Sequence, residues 1–179
     1  MVIDWALLYA AGGAHPDRAH ALAVASAEFL PTYGLTTPER IIQFMGQAAH
    51  ETQGFLYLAE LGGPYYCQQY DGRDGNCYPG DGYKFKGRGI FQITGRTNYA
   101  LAAKRFATDF LSHPELLELP NWAVRTAGDF WVREGLGALA DRSDTDGISR
   151  HINGRHCNTL NQRRARIAQM RAAVAGMAK

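Results

Sequence analysis

Two glutamates separated by nine residues, Glu51 and Glu60, are the side chains best suited to chemistry in this sequence. Most enzymes that cleave glycosidic bonds use a pair of carboxyl groups, one as an acid and the other as a base or nucleophile. Glu51 falls in the last turn of a predicted helix, where unpaired carbonyl groups make the helix end negative and favour a protonated carboxyl. Taken alone, such a pair is common, and Glu51 could equally be a solvent-exposed residue at a frayed helix end.

The histidines do not form a recognisable metal site. His50 precedes the first glutamate, but HETQG is not the HExxH zinc motif, since Gly54 stands where the second histidine would be. The residues alone favour a packed or hydrogen-bonding histidine at position 50. His151, His156 and Cys157 match no standard zinc spacing. We therefore expect no metal site among these residues.

The helix that carries the first glutamate is strongly predicted. Thr37 is a natural N-cap with Pro38 at the first helical position, or Thr36 is the cap and Glu39 closes a capping box. Gly54 is a good stop signal. Apolar residues recur between them at helical spacing, which predicts a core helix: Ile41, Ile42, Phe44, Met45, Ala48 and Ala49.

The remaining pattern predicts one mainly helical domain over residues 1–179, with a small β element and no separate cell-wall-binding domain. Helices are predicted at residues 2–11, 16–30, 96–110, 121–135, 144–152 and 159–178. Residues 83–94 partly alternate, which indicates a short strand pair turning at Gly87-Arg88-Gly89. Residues 62–82 are rich in Gly, Asp and Tyr, and a loop of that length is more often functional than idle.

Composition narrows the class of protein. Hydrophobic residues make up 46% and charged residues 20%, which is ordinary globular composition. The net charge of +2 tolerates an anionic partner, but the scattered Lys and Arg residues argue against nucleic-acid binding. No stretch is long and apolar enough to span a bilayer, and the N-terminus is typical of a first helix rather than a signal peptide. We therefore expect synthesis in a cytoplasm without standard export.

Cys67 and Cys77 lie at the two ends of the polar loop. In a reducing cytosol these residues and Cys157 could all be free thiols. A bridge between Cys67 and Cys77 is the alternative, and it would form only in an oxidising compartment.

Three segments, in order, resemble the family 19 chitinases and related phage endolysins. They are AAHETQGFLYLAELGGPYYC, GDGYKFKGRGIFQITGRTNYA and ISRHINGRHCNTLNQRR. The family pattern combines a helix ending in HE[ST]xGF, a second Glu about nine residues later in bacterial members, a YxGRGxxQ[IL][ST]xxxNY segment and a late I-N-G stretch. The resemblance is strong over residues 47–99 and weaker over 148–167. One departure is that INGG reads INGR, which places Arg155 at the second glycine.

The resemblance implies a role for each matching residue. Glu51 would be the general acid and Glu60 the general base, with Thr94 holding the attacking water. Asp71 is the alternative base, because plant members place theirs inside the later Cys-bearing loop. Arg163 matches a late arginine that organises the acidic pair. The substrate-binding set comprises His50, Tyr83, Gln92, Asn98, Tyr99, Asn153 and Arg163.

The resemblance also implies a lysozyme-like fold, with the β element lining a substrate cleft, and an inverting mechanism without a cofactor. We expect a monomeric phage or prophage lysis enzyme, without a stable protein partner, that cleaves peptidoglycan between N-acetylmuramic acid and N-acetylglucosamine. It would accumulate in the host bacterial cytoplasm and act on the cell wall after release. The basic C-terminal helix could touch the anionic envelope, although such a helix more often packs on the domain. A chitinase and a non-catalytic glycan-binding protein of the same fold are the rivals.

Overall fold

Helices make up most of the chain in the computed structural model, which describes residues 3–177. Within these residues the α-helices are α1 (Trp5–Gly12), α2 (Pro16–Phe29), α3 (Pro38–Glu51), α4 (Pro64–Cys67), α5 (Asp81–Lys84), α6 (Arg96–Phe106), α7 (Pro120–Arg133), α8 (Leu136–Ala140), α9 (Thr145–Asn153) and α10 (Leu160–Met177). Short 3-10 segments occupy Leu30–Tyr33, Gln68–Tyr70 and Pro114–Glu118. The predicted mainly α class is confirmed. None of the described helices has the length and apolar character needed to cross a membrane.

Helix α3 is the central element and ends at Glu51. It begins as predicted, because the Thr37 hydroxyl accepts the N–H of Arg40 at 3.3 Å and Pro38 occupies the first helical position. Every residue from Ile41 to Ala49 is buried, so the helix is covered on all sides. Helix α10 packs most extensively against it. The last residue of α3 is therefore held by a rigid support.

Gly46 permits the close approach of α10 to α3. A Cβ atom at this position would lie 2.3 Å from Cδ1 of Ile167 and 3.0 Å from its backbone. Any larger residue would push α10 outward. Arg163 precedes Ile167 by one turn, so the glycine also sets how near this arginine lies to α3.

The core has two parts. The main cluster is formed largely by α1, α2, α3, α7 and α10, and its large, fully buried side chains include Leu8, Tyr9, Leu22, Phe44, Phe55 and Trp131. A smaller cluster contains Phe85, Tyr99, Ala102, Phe110 and Leu117. This second cluster supports the segment that contains the β element.

The β element is smaller than predicted. Two isolated antiparallel bridges, Ala59–Arg88 and Arg88–Ile93, replace the expected strand pair. The first residues of the predicted strand form helix α5 instead. Arg88 therefore joins the segment after α3 to the segment before α6.

The turn also lies later than predicted. The chain reverses between Arg88 and Ile93, with Gly89 at φ +79° and Gln92 at φ +50°. The prediction of a turn centred on Gly87-Arg88-Gly89 is wrong, because the backbone of Gly87 pairs with the Glu60 segment.

Most predicted helix boundaries agree with the structure within a few residues. Helix α6 ends at Phe106 instead of residue 110, because Ala107 adopts a left-handed conformation at φ +49°. Helix α10 buries Arg163, Ile167, Met170 and Val174 against the domain, as the packing alternative predicted. Residues 2 and 178, at the outer limits of the first and last predicted helices, lie outside the described residues.

The loop at residues 62–82 is more ordered than its composition suggests. It contains helix α4, the 3-10 segment Gln68–Tyr70 and the start of α5. Cys67 is a buried free thiol and Cys77 an exposed one in this structure, and a bridge between them in an oxidising compartment stays a prediction. Cys157 is also free and buried.

Candidate active site

Both glutamates line one surface pocket of about 220 Å³. The end of α3 supplies one carboxyl group, and the segment leading to the first bridge supplies the other. The residues around this glutamate pocket are Glu51, Gln53, Tyr57, Ala59, Glu60, Leu61 and Gln92. The structure thus brings the proposed acid and base together.

Arg163 holds the carboxyl group of Glu51. Its side chain is 1% exposed, and its Nη2 donates to Glu51 Oε1. The same guanidinium donates from Nη1 to Gln47 Oε1 at 2.7 Å and from Nε to Thr159 Oγ1 at 3.1 Å. Gln47 in turn donates to Ser149 Oγ at 2.9 Å. A buried network from α3, α9 and α10 therefore fixes the carboxyl group of Glu51.

The resemblance implies an arginine that organises the acidic pair, and in the structure Arg163 contacts Glu51. The positive guanidinium offsets the electrostatic cost of a carboxylate at the negative end of α3. The side chain of Glu51 remains 17% exposed, so it can meet a ligand in the pocket.

Glu60 is held by loop groups instead of by a charged partner. The hydroxyl of Tyr70 donates to Oε1 at 2.7 Å, and the N–H of Gly87 donates to Oε2 at 3.2 Å. The Glu60 N–H donates back to the Gly87 carbonyl at 2.8 Å. The bond to this carboxylate, together with burial, raises the pKa of Tyr70, so the phenol is protonated and donates at neutral pH.

Asp71, the alternative base, has a structural role. One carboxylate oxygen accepts the N–H of Gly80 at 3.2 Å and the other accepts the N–H of Gly82 at 2.7 Å. Its carboxylate therefore orders the start of α5, and it does not line the glutamate pocket. This geometry favours Glu60 as the base.

Gln92 lies in the turn before Ile93, Thr94 follows Ile93, and both side chains lie beside Gly87. A Cβ at Gly87 would lie 2.6 Å from Gln92 Oε1 and 3.2 Å from Thr94 Oγ1, so only glycine lets these side chains approach. The hydroxyl of Thr94 donates to the Gln92 carbonyl at 3.0 Å, and Asn98 Nδ2 donates to the Thr94 carbonyl at 2.7 Å. Thr94, Asn98 and Gln92 line a second pocket, which adjoins the first through Gln92.

The structure corrects one substrate contact. Tyr99 is fully buried in the second core cluster, and its hydroxyl donates to the Lys86 carbonyl at 2.7 Å and accepts from Arg88 at 2.9 Å. It therefore positions the β element and cannot touch a sugar.

His50, Tyr83 and Asn153, which were also predicted to contact substrate, line neither the glutamate pocket nor the second pocket. His50 lines a groove against α10, where burial and the nearby Arg163 lower its pKa. Tyr83 is exposed, and the Lys86 ammonium lies 4.9 Å from the centre of its ring. Asn153 is exposed at the end of α9.

Sequence reasoning missed Tyr57 and the roles of Tyr70 and Arg88. Tyr57 is 39% exposed and lines the glutamate pocket, so its ring is available to a sugar face. Tyr57 lies between Glu51 and Glu60 in the sequence, and this position could have indicated that it lines the same pocket. Buried Arg88 donates to Glu118 at 2.7 Å and to the Lys84 carbonyl at 2.8 Å, which no local pattern indicates.

Nothing in the described part of the chain resembles a metal centre. Among residues 3–177, no three His, Cys, Asp or Glu side chains are grouped so that they could hold an ion. The side chains that line the glutamate pocket offer carboxyl, hydroxyl and amide groups.

A mainly helical fold with two glutamates in one pocket is an arrangement suited to glycoside hydrolysis. The chain belongs to glycoside hydrolase family 19, because the family model for chitinase class I matches residues 17–138. It is 36% identical to an acidic endochitinase of Petunia hybrida over 118 residues, which are 61% of this chain and 43% of that protein. It is 33% identical to an endochitinase of Arabidopsis thaliana over 150 residues, 75% of this chain and 51% of that one. The chain thus spans about half the length of these curated relatives.

Solved structures show the same fold. Chitinase C from Streptomyces griseus superimposes with a TM-score of 0.72 at 18% identity, covering 97% of this chain and 76% of that one. A bacterial family 19 chitinase gives a TM-score of 0.70 at 18% identity and covers 97% and 95%. At this identity the likeness is one of fold, and the expected lysozyme-like architecture is confirmed.

Proposed function

We propose that the protein is an inverting glycoside hydrolase that cleaves peptidoglycan at the β-1,4 bond between N-acetylmuramic acid and N-acetylglucosamine. The observation that carries the proposal is the glutamate pocket, in which two carboxyl groups with different partners face the same space. No cofactor takes part in the proposed reaction.

Glu51 acts as the general acid. When its carboxyl is protonated it gives that proton to the glycosidic oxygen as the bond to the anomeric carbon breaks. Arg163 keeps the carboxyl in one orientation during this transfer. The exposed ring of Tyr57 offers a surface for stacking against a sugar in the same pocket.

Glu60 acts as the general base. It accepts a proton from a water molecule while the oxygen of that water attacks the anomeric carbon from the opposite face. The hydroxyl of Thr94, beside Gly87, helps to orient this water. Tyr70 and the Gly87 N–H hold the carboxylate in place, which lowers the entropic cost of reaching the reactive geometry.

Space beside the glutamate pocket supports the choice of peptidoglycan. Muramic acid differs from N-acetylglucosamine by a lactyl ether, which needs open space next to the sugar. No atom lies within 4 Å of a Cβ built on Gly63, whereas the equivalent position at Gly62 is covered by Tyr66. The open space at Gly63, two residues after Leu61 of the glutamate pocket, could therefore accommodate the lactyl ether.

Chitin is the second candidate substrate. The curated relatives with the same family signature are endochitinases, and both polymers present N-acetylglucosamine in β-1,4 linkage. Peptidoglycan and chitin would therefore be cleaved by the same mechanism, and they differ in the substituents on the sugars next to the cleaved bond.

The test is to digest purified peptidoglycan and, in parallel, colloidal chitin, reduce the products with borohydride and identify the reduced sugar by mass spectrometry. Reduced muramic acid is the expected product, and reduced glucosamine would move the cut to the other bond. Release from chitin alone would make the protein a chitinase. Glu51→Gln should abolish activity, and Glu28→Gln, a matched change at an exposed residue of α2, should not. More than a tenth of wild-type activity in Glu51→Gln would refute the assignment of the acid.

A further inference from the structure

The pocket that adjoins the glutamate pocket has a volume of about 330 Å³ and lies between α6 and α7. We call it the α6–α7 pocket. Gln92, Thr94 and Asn98 give this pocket amide and hydroxyl groups, and Gln92 also lines the glutamate pocket. Its apolar lining comes from Phe91, Leu101, Ala102, Phe106, Ala127 and Phe130.

The same pocket also carries four charged side chains, Arg105, Asp129, Arg133 and Glu134. Nε of Arg105 lies 3.3 Å from Asp129 Oδ2, and Nε of Arg133 lies 3.2 Å from the same oxygen. Arg133 also contacts Glu134 at 3.3 Å. A guanidinium has five N–H donors, more than these contacts occupy. The side chains of Arg105 and Arg133 are 44% and 43% exposed, so a ligand can reach them.

A neutral glycan does not match the charged part of this lining. Chitin carries hydroxyl and acetamido groups but no ionised group, and covering arginines with it would cost desolvation energy without an ionic partner in return. A ligand with carboxylate and amine groups and small apolar side chains would complement both the charges and the apolar lining.

We propose that the α6–α7 pocket binds the stem peptide of peptidoglycan while the adjoining glutamate pocket holds the glycan, an inference that rests on the proposed function. The stem peptide begins at the lactyl group with an alanine, whose methyl group suits the apolar lining. The free carboxylate of its γ-linked glutamate would bind between Arg105 and Arg133. The amine of its diamino acid would bind Asp129 or Glu134. The α6–α7 pocket thereby favours glycan strands that carry stem peptides over glycan strands without them.

The experiment compares two soluble substrates, uncross-linked glycan strands that carry stem peptides and the same strands after an amidase has removed the peptides. For each enzyme we would measure kcat/KM on both and take the ratio of peptide-bearing to peptide-free. The wild type should give a ratio well above one. The double variant Arg105→Gln/Arg133→Gln should lower the ratio about tenfold, mainly through a higher KM, because both contacts are partly exposed.

Two further variants serve as controls. Arg105→Lys/Arg133→Lys keeps the charges and should retain most of the ratio. Lys104→Gln removes one charge from the neighbouring residue of α6, outside the pocket, and should leave the ratio unchanged. Thermal unfolding of every variant checks that the fold is intact.

The outcomes distinguish a failure of the proposed peptide binding from a failure of the proposed glycoside hydrolase function. An unchanged ratio in the double glutamine variant, or an equal loss on both kinds of strand, would overturn the peptide-binding role alone. A wild type that cleaves chitin oligosaccharides but neither strand would overturn the proposed function and this inference with it.

Discussion

Replacing Arg163 by lysine should loosen the carboxyl group of Glu51, the proposed general acid, while keeping the positive charge. Three nitrogens of Arg163 contact three different partners, with Nε 3.1 Å from Thr159, Nη1 2.7 Å from Gln47 and Nη2 against Glu51. A guanidinium presents its donors in a rigid plane, whereas the ammonium of lysine is a single point. Lysine can therefore keep the ionic contact with Glu51 only by giving up the other two partners.

The cost follows from those lost contacts. The lost bond to Thr159 costs about 0.5–1.5 kcal/mol and an unpaired buried oxygen of Gln47 about 1–3 kcal/mol, which together give roughly 2–4 kcal/mol. Domains are stable by about 5–15 kcal/mol, so the variant should still fold. At about 2–4 °C per kcal/mol for a chain of this size, Tm should fall by roughly 5–15 °C. A shift of about 1 Å in the Glu51 carboxyl would lower kcat about a hundredfold.

Thermal unfolding by circular dichroism measures the first effect, and glycan hydrolysis well below Tm measures the second. Arg164→Lys is the matched control, because its guanidinium is exposed and contacts Asp146, away from the glutamate pocket. Wild-type values of both Tm and kcat for Arg163→Lys would refute the reasoning. A lower Tm with unchanged kcat would show that Arg163 supports the fold without positioning the acid.

Three further predictions concern the base and its loop. Glu60→Ala should lower activity about 10²–10⁴-fold, and azide should partly restore it by replacing the attacking water. Asp71→Ala should lower activity far less. If Asp71→Ala were the more damaging change, Asp71 would be the base. Tyr70→Phe removes one hydrogen bond to the Glu60 carboxylate and should reduce kcat about tenfold. Tyr65→Phe, at an exposed residue of α4, should leave kcat unchanged. Equal kcat values for the two variants would show that the Tyr70 hydroxyl does not position Glu60. An arginine partner holds the pKa of Asp81 below its usual value, so its contribution to stability is present above about pH 3.8 and is lost as the pH falls through the lower folded value. Urea unfolding between neutral pH and pH 2 should therefore show a smaller acid-induced loss in Asp81→Asn than in the wild type, and an equal loss would contradict this assignment.

The elements that could be predicted are those whose causes are local. Helix α3 follows from Thr37, Pro38 and the apolar spacing after them, and the last helix follows from its own pattern. The turn after Arg88 could not be predicted, because its position depends on the pairing of Gly87 with Glu60, 27 residues away in the sequence. Burial of Tyr99 was missed for a similar reason, since its hydroxyl partners come from another part of the fold.

The glutamate pocket also depends on contacts that local sequence patterns do not predict. The candidate acid and base, and an arginine beside them, followed from the sequence and its resemblance, but most of the contacts that hold the two glutamates did not. Arg163 and Gln47 are 116 residues apart, and periodicity says nothing about such a pair. Tyr70 is only ten residues from Glu60, yet the loop geometry that brings its hydroxyl to the carboxylate is irregular.

The two glutamates are held in ways that differ physically, and this difference bears on how the site could adapt. Glu51 is fixed by a buried guanidinium on α10, which packs against α3 in the main core, so its position is tied to the whole fold. Glu60 is fixed by Tyr70 and Gly87, which lie in or directly after the loop that follows the pocket. A change in that loop can therefore reshape the space around Glu60. The carboxyl group of Glu51 keeps its geometry through such changes, because its partner Arg163 does not come from the loop.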